Sequence, residues 1–314
     1  MTHIGQNNSA EQKQAANYDS DVMEKAPTNT PLVKGFFDPS TSTISYIVSC
    51  RVTKKAVIID SVLDYNPRAG RIHYDSANTL LAYIKDNGLI CEYILETHAH
   101  ADHISAAQYL KEKLGASIVI HEAIQDTQKS FAPVFNLGSQ FPCNGSQFDK
   151  LLKDEETLKI GQLDFTCMHT PGHTPACATY IIGNAIFVGD TLFMPDSGTA
   201  RTDFPGGDAA TLYQSIHKIL SLPQDYKIFV CHDYQPGGRA ILFETTVAEQ
   251  RQKNIHIGGG TSQEDFVKMR TTRDATLDQP NLIIPSIQVN VRAGQFPEPE
   301  DNDVVYLKIP VNQL

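Results

Sequence analysis

Thr97-His98-Ala99-His100-Ala101-Asp102-His103 places three histidines and an aspartate within six residues. The apolar segment before it, Cys91 to Glu96, reads as a buried strand, and Ile104 to Leu114 after it reads as a helix. The four polar side chains therefore sit on the turn at a strand end, where an α/β sheet usually presents its chemistry. Imidazoles and a carboxylate this dense would cost much to bury unpaired, whereas a divalent metal satisfies them together. The stretch reads as a metal site.

Three later segments repeat the arrangement of a strand that ends on a ligand-type residue. His169 follows the apolar run Leu163 to Cys167 and opens His169-Thr170-Pro171-Gly172-His173-Thr174-Pro175. Asp190 follows Phe187-Val188-Gly189, and His232 follows Tyr226 to Cys231. Loops at the ends of neighbouring strands can converge on one point, so capping and turn roles are a poor account of all these residues. Outside these segments His73, His121, His217 and His256 read as surface or core histidines: His121 ends a strand, and His217 lies beside the apolar face of a helix. Asp60 also ends a strand, and reads either as a support for the site or as a turn cap.

The rest of the chain alternates strands and helices. Residues 1 to about 30 are rich in Gln, Asn, Ala and Ser with little apolar pattern and read as a flexible N-terminal tail. From Val33 the pattern turns to strands. Thr43 to Val52 and Ala56 to Asp60 are joined by a hairpin turn at Thr53-Lys54-Lys55, and Ser61 to Tyr74 reads as a polar loop. Asp75 to Asn87 reads as a helix stopped by Gly88, and residues 128 to 150 as a long loop. Leu158 to Thr170, Ala176 to Ile182 and Ala185 to Gly189 follow as strands. Asp208 is placed to cap a helix with Leu212, Ile216, Ile219 and Leu220 on one face. Thr245 to Asn254 and Thr261 to Arg270 read as helices, the second with a Thr261/Glu264 capping box. Residues 31 to 314 are thus expected to form a single α/β catalytic domain, with a C-terminal extension from about residue 257.

Composition narrows the function. The formal net charge of -10 and the lack of a Lys/Arg-rich run argue against a nucleic-acid partner. No apolar run approaches the ~20 residues of a membrane span, and the first residues lack the layout of a secretion signal. Six scattered cysteines without short-spacing motifs suit free thiols in a reducing, cytoplasmic setting.

The pattern His-x-His-x-Asp-His at His98, His100, Asp102 and His103, with His169, Asp190 and His232 in order, resembles the metallo-β-lactamase superfamily. That resemblance implies a four-layer αβ/βα sandwich of two mixed sheets flanked by helices. Within it, the segments at 169–174, 189–193, 200–204, 211–217 and 232–234 look like those of persulfide dioxygenases, with residues 195–199 and 236–239 closer to bacterial β-lactamase-hydrolase-like members. The resemblance implies one Fe(II) per chain held by His98, His169 and Asp190. His100, Asp102, His103 and His232 would then support these ligands or mark a vacant second metal position, and His173 would orient its neighbours.

A two-His, one-carboxylate face leaves open positions on iron for a sulfur ligand and O2. The implied reaction turns glutathione persulfide, O2 and water into sulfite and glutathione. Tyr234 is expected to meet the bound thiol or to pack, and Arg201 with Asp203 to shape the site wall or to form a solvated pair. Arg239, Arg251 and Lys253 are expected to meet glutathione carboxylates or to be solvated charges. His256 stands where animal-type members place a glutathione-contacting arginine. A homodimer is expected only from the resemblance. The alternative is a binuclear zinc hydrolase of the glyoxalase II type cleaving a glutathione thioester, because all seven residues for two metals are present. A non-catalytic scaffold fits an intact ligand set poorly, and β-lactam hydrolysis, normally an exported activity, fits the lack of a secretion signal poorly.

Overall fold

Adjacent residues of a strand face opposite ways, and here both faces are covered. The computed structural model describes residues 29–314; the expected tail, 1 to 30, lies almost wholly outside them. In chain order come β1 (Leu32–Asp38), β2 (Thr43–Ser49), β3 (Lys55–Ile59), β4 (Val62–Asn66), β5 (Arg71–His73), α1 (Asp75–Asp86), β6 (Ile90–Leu95), β7 (Ile104–Ser105), α2 (Ala107–Leu114), β8 (Ser117–His121), α3 (Ile124–Val134) and β9 (Lys150–Leu152). The second half holds β10 (Thr157–Ile160), β11 (Leu163–His169), β12 (Ala178–Ile182), β13 (Ala185–Phe187), α4 (Ala209–Leu220), β14 (Lys227–Phe229), β15 (Glu244–Thr246), α5 (Val247–Lys253), α6 (Gln263–Asp274) and α7 (Ile283–Asn290).

Two six-stranded mixed sheets result, in the orders β1-β2-β3-β6-β8-β9 and β10-β11-β12-β13-β14-β15; β5-β4-β7 form a small third sheet. Ile44, Tyr46, Val48, Val57, Ile59, Leu95 and Val119 of the first sheet pack against Phe165, Cys167, Tyr180, Ile182 and Phe187 of the second. The alternate residues face outward. Ile47, Ile58, Ile94 and Ile118 pack with α1, α2, α3 and α7, whereas Ile186 and Ile228 pack with α4, α5 and α6. This double burial is why the strands read as unbroken apolar runs, and it yields the expected four layers.

Register places the site. Ile59 pairs with Leu95 across the parallel β3–β6 ladder, so Asp60 and Thr97 leave the sheet side by side. Phe187 pairs with Phe229 across β13–β14, which brings the Asp190 and His232 turns together. Thr97 carbonyl accepts from the Ala178 amide at 2.9 Å, joining the two sheets at this edge.

Several boundaries differ from the sequence expectation. Ile104–Ser105 pairs with Val62–Leu63 as β7, so the helix starts only at Ala107. Ser61 to Tyr74 contains the β4–β5 hairpin, whose strands are too short to show a clear period. Residues 128 to 150 begin inside α3, where Pro133 sits in the last turn, and Glu244–Thr246 pairs as β15 before α5 starts. Helix α6 is capped by Ser262, whose hydroxyl accepts from the Asp265 amide, and not by Thr261. Asp208 does cap α4, accepting from the Thr211 amide at 2.7 Å.

The turn after β11 depends on Gly172. Its φ is +131°, and a Cβ there would overlap the backbone of Leu212 in the first turn of α4. Gly172→Ala is therefore expected to lower the unfolding free energy by at least about 2 kcal/mol, read as the urea midpoint of chelator-treated protein; an unchanged midpoint would contradict this packing.

Candidate metal centre

Asp60 organises the first loop. It stands directly after β3 with φ +50°, a left-handed conformation that costs a non-glycine residue about 1–2 kcal/mol. Its buried carboxylate accepts the Thr97 amide at 2.8 Å and the Thr97 hydroxyl at 2.9 Å. His100 Nε2 lies 3.0 Å from the same carboxylate and 3.6 Å from Glu96. Burial would disfavour charge on His100, but Asp60 outweighs it and raises the imidazole to about 9. Burial also pushes the Glu96 carboxyl up to about 8, where the Ser105 hydroxyl donates to it at 2.7 Å. Of the two expected uses of Asp60, support for the site is the one the structure displays.

The loop is gripped from the other side by a residue the sequence reading did not single out. Asn290, the last residue of α7, donates through its side-chain amide to the carbonyls of His100 and His103, each at 2.8 Å, and accepts from the Ser105 amide at 2.9 Å. No short motif marks it, because its partners are backbone atoms 185 to 190 residues away.

Three ligand-type groups meet on one face of the loop. His98, His173 and Asp190 offer one ligand atom each within 4.8 Å of one another. Asp190 Oδ2 lies 3.8 Å from His98 Nε2 and 3.6 Å from His173 Nε2. Atoms bound at about 2.1 Å to a common ion stand roughly 3–3.5 Å apart, so small shifts close this set around a metal. His173 Nδ1 is bonded to the Arg201 carbonyl at 2.8 Å, which leaves its Nε2 lone pair free to ligate. Gly189, at φ +51°, lets the Asp190 turn approach: a Cβ there would stand 2.6 Å from the Thr97 hydroxyl.

His169 does not join this face, contrary to the sequence expectation. Its Nε2 is bonded to the Pro175 carbonyl at 2.8 Å, and its ring stacks on His121 with centroids 4.0 Å apart. The cause is strand alternation. His169 continues the inward row of Phe165 and Cys167 and so meets His121, which continues the row of Val119. After the Gly172 turn it is His173 that faces the cluster.

A second group lies beside the first. His100, Asp102, His103 and His232 also offer atoms within 4.8 Å of one another. His232 Nε2 stands 3.2 Å from Asp102 and 3.3 Å from Asp190 Oδ1. These two carboxylates outweigh burial and raise His232 to about 10. Burial opposes ionisation of Asp190, but the His232 and His98 imidazoles hold its carboxyl well below the usual range. Burial pushes His98 well below an ordinary histidine.

Nε2 of His98, His103 and His232, Nδ1 of His100 and Oδ1 of Asp190 are all buried without a hydrogen bond. So many aligned orphan donor and acceptor atoms in one place fit a metal centre. Two of the metal-capable groups share His100 with Asp102 or Asp190, but none joins His100 to both His98 and His173.

A cavity of about 440 Å³ opens over the cluster. Tyr234 and Arg201 line it. The Tyr234 ring stacks on His232 at 5.7 Å, and Arg201 forks onto Asp203 with two contacts of 2.6 Å. Arg239, Arg251 and Lys253 do not line it. Arg239 is held by Asp196 and Asp233, Lys253 by Glu249 on its own helix, and Arg251 is solvent-exposed on α5. His256 is tied to the Thr199 amide at 3.0 Å, holding a wall of the cavity.

All six cysteines are free. Among the described residues no helix is long and apolar enough to cross a membrane.

Comparison with known proteins places this geometry. The metallo-beta-lactamase superfamily model matches residues 38–232. A probable metallo-hydrolase of Burkholderia pseudomallei is 53% identical over 90% of this chain and 99% of its own length. A glyoxylase B2 of Dictyostelium discoideum is 51% identical, over 91% of this chain and 99% of its own length. The mitochondrial persulfide dioxygenase of Homo sapiens is 32% identical over 84% of this chain and 89% of its own length. The crystal structure of ETHE1 from Myxococcus xanthus superposes with a TM-score of 0.67 at 28% identity, covering 84% of this chain and all of that one.

His173→Ala is expected to abolish metal retention through desalting, while His169→Ala keeps it; equal loss in both would contradict the assignment. Asn290→Ala is expected to weaken metal affinity about 10–100-fold in a chelator competition, by releasing the carbonyls of His100 and His103.

Proposed function

The chain belongs to the metallo-beta-lactamase superfamily, and on that premise we propose that it is a persulfide dioxygenase working with a single Fe(II) on His98, His173 and Asp190. The observation that carries the reading is the three-point face of two imidazoles and one carboxylate, from which His100 is drawn away by Asp60. Iron(II) on such a face supplies the redox chemistry by which glutathione persulfide, O2 and water become glutathione and sulfite. The likeness to a persulfide dioxygenase supports the same activity.

The chain's own residues bind, orient and shield. Asp190 divides its oxygens, turning Oδ2 toward His98 and His173 while Oδ1 faces His232. His232, lifted by Asp102 and Asp190, holds that carboxylate and neutralises the charge beside it. Phe193 and Phe204 contribute apolar walls to the cavity, which keep water from a reactive sulfur. The Tyr234 phenol stands at the cavity with its ring fixed against His232 and Phe193.

A second reading has its own observation. Asp102, His103 and His232 form a further metal-capable set with His100, and a relative named glyoxylase is 51% identical. With both sets filled, the two groups would hold two zinc ions, which would supply an activated water for hydrolysis of a glutathione thioester.

Protein purified without added metal is expected to carry about one iron and little zinc per chain, by elemental analysis. It is expected to take up O2 with glutathione persulfide, to stop on chelation and to recover with Fe(II). Two zinc ions per chain with thioester turnover and no O2 uptake would reverse the choice.

A further inference from the structure

Among the described residues, the cations on the cavity wall are committed to partners, with one exception. Arg201 is forked onto Asp203. Arg270, fully buried, donates to Asp274 and to the Thr199 carbonyl. Arg273, one turn further along α6, also lines the cavity, and its guanidinium is exposed with no hydrogen bond or ion pair among the described residues. Asp278 lines the same wall, and its carboxylate likewise has no partner there. The two do not pair with each other.

The wall that carries them is held firmly. Asp274 accepts from the Thr202 amide at 2.8 Å and the Thr202 hydroxyl at 3.0 Å. Arg201 donates to the Asp278 carbonyl at 2.6 Å. These contacts fasten α6 and the segment after it to the loop that carries Arg201. Both free charges lie beyond residues 38–232, the part matched by the family model.

An unpaired cation and an unpaired anion on one anchored wall complement a ligand that carries an anion and a cation together. We propose that Arg273 and Asp278 form a subsite for an α-amino-acid head group, Arg273 taking the carboxylate and Asp278 the ammonium. The subsite deepens the reading above and rests on it for the identity of the ligand. The γ-glutamyl end of glutathione carries both groups, distant from the sulfur that would face the cluster. Specificity for the thiol carrier would thus come from the C-terminal segment, while the cluster does the chemistry.

Calorimetric titration of reduced glutathione into the full chain tests the subsite without turnover. Arg273→Gln is expected to weaken binding about 10- to 100-fold, with Arg273→Lys recovering part of the loss because a lysine keeps the charge but not the fork. Asp278→Asn is expected to weaken glutathione but not its des-amino analogue. Both positions are exposed, so thermal unfolding of the variants should match the wild type. Wild-type affinity for glutathione in Arg273→Gln, or no binding by the wild type, overturns the subsite. Weakened glutathione binding in a protein that takes up no O2 with glutathione persulfide would sink the dioxygenase reading and leave the subsite standing. O2 uptake with an unchanged Kd and KM in Arg273→Gln would do the reverse.

Discussion

The metal loop hangs on one buried carboxylate. Asp60 is 2% exposed and has three hydrogen-bonding partners on the loop, the Thr97 amide, the Thr97 hydroxyl and His100. Stripping a buried charge of its partner costs about 3–5 kcal/mol, so this carboxylate strongly favours the loop conformation that satisfies it. The left-handed backbone at Asp60 is sustained by the same contacts. Because β3 and β6 are paired in parallel with Ile59 opposite Leu95, the carboxylate and the loop leave the sheet together. Sheet register is thereby converted into the position of His98.

The same economy explains the rest of the cluster. Asn290 from α7 satisfies two loop carbonyls, and the Arg201 carbonyl orients His173. Asn290 fixes the loop backbone, while the Arg201 carbonyl and Asp60 each hold one ring nitrogen, of His173 and His100, and leave the other free. The free atoms then lie close together at the floor of the cavity, and a cation relieves that arrangement at low cost. The scaffold prepays the geometry, and binding energy of the metal stabilises what the fold has left unsatisfied.

Much of this was legible in the sequence, and the limits have physical causes. The dense histidine run, its place after an apolar strand and the later Asp190 and His232 announced a metal site on an α/β scaffold. The four layers were implied by the family resemblance, and strands buried on both faces are their physical basis. The sequence reading put His169 in the cluster, whereas the structure keeps it in the inward row with Phe165 and Cys167, against His121, and sets His173 beside Asp190. Asn290 and the pairing of Arg239 with Asp196 depend on contacts between distant segments, which spacing cannot show. The β4–β5 hairpin and α7 are short elements fixed by packing more than by local preference.

The central claim is that one metal ion sits on His98, His173 and Asp190 while the neighbouring set stays empty. Anomalous scattering from crystals of the native protein, collected on both sides of the iron edge, addresses it directly. The account predicts one iron peak at about 2.0–2.3 Å from His98 Nε2, His173 Nε2 and an Asp190 oxygen, with none between Asp102, His103 and His232. A peak ligated by His169, or two peaks bridged by Asp190, would contradict it.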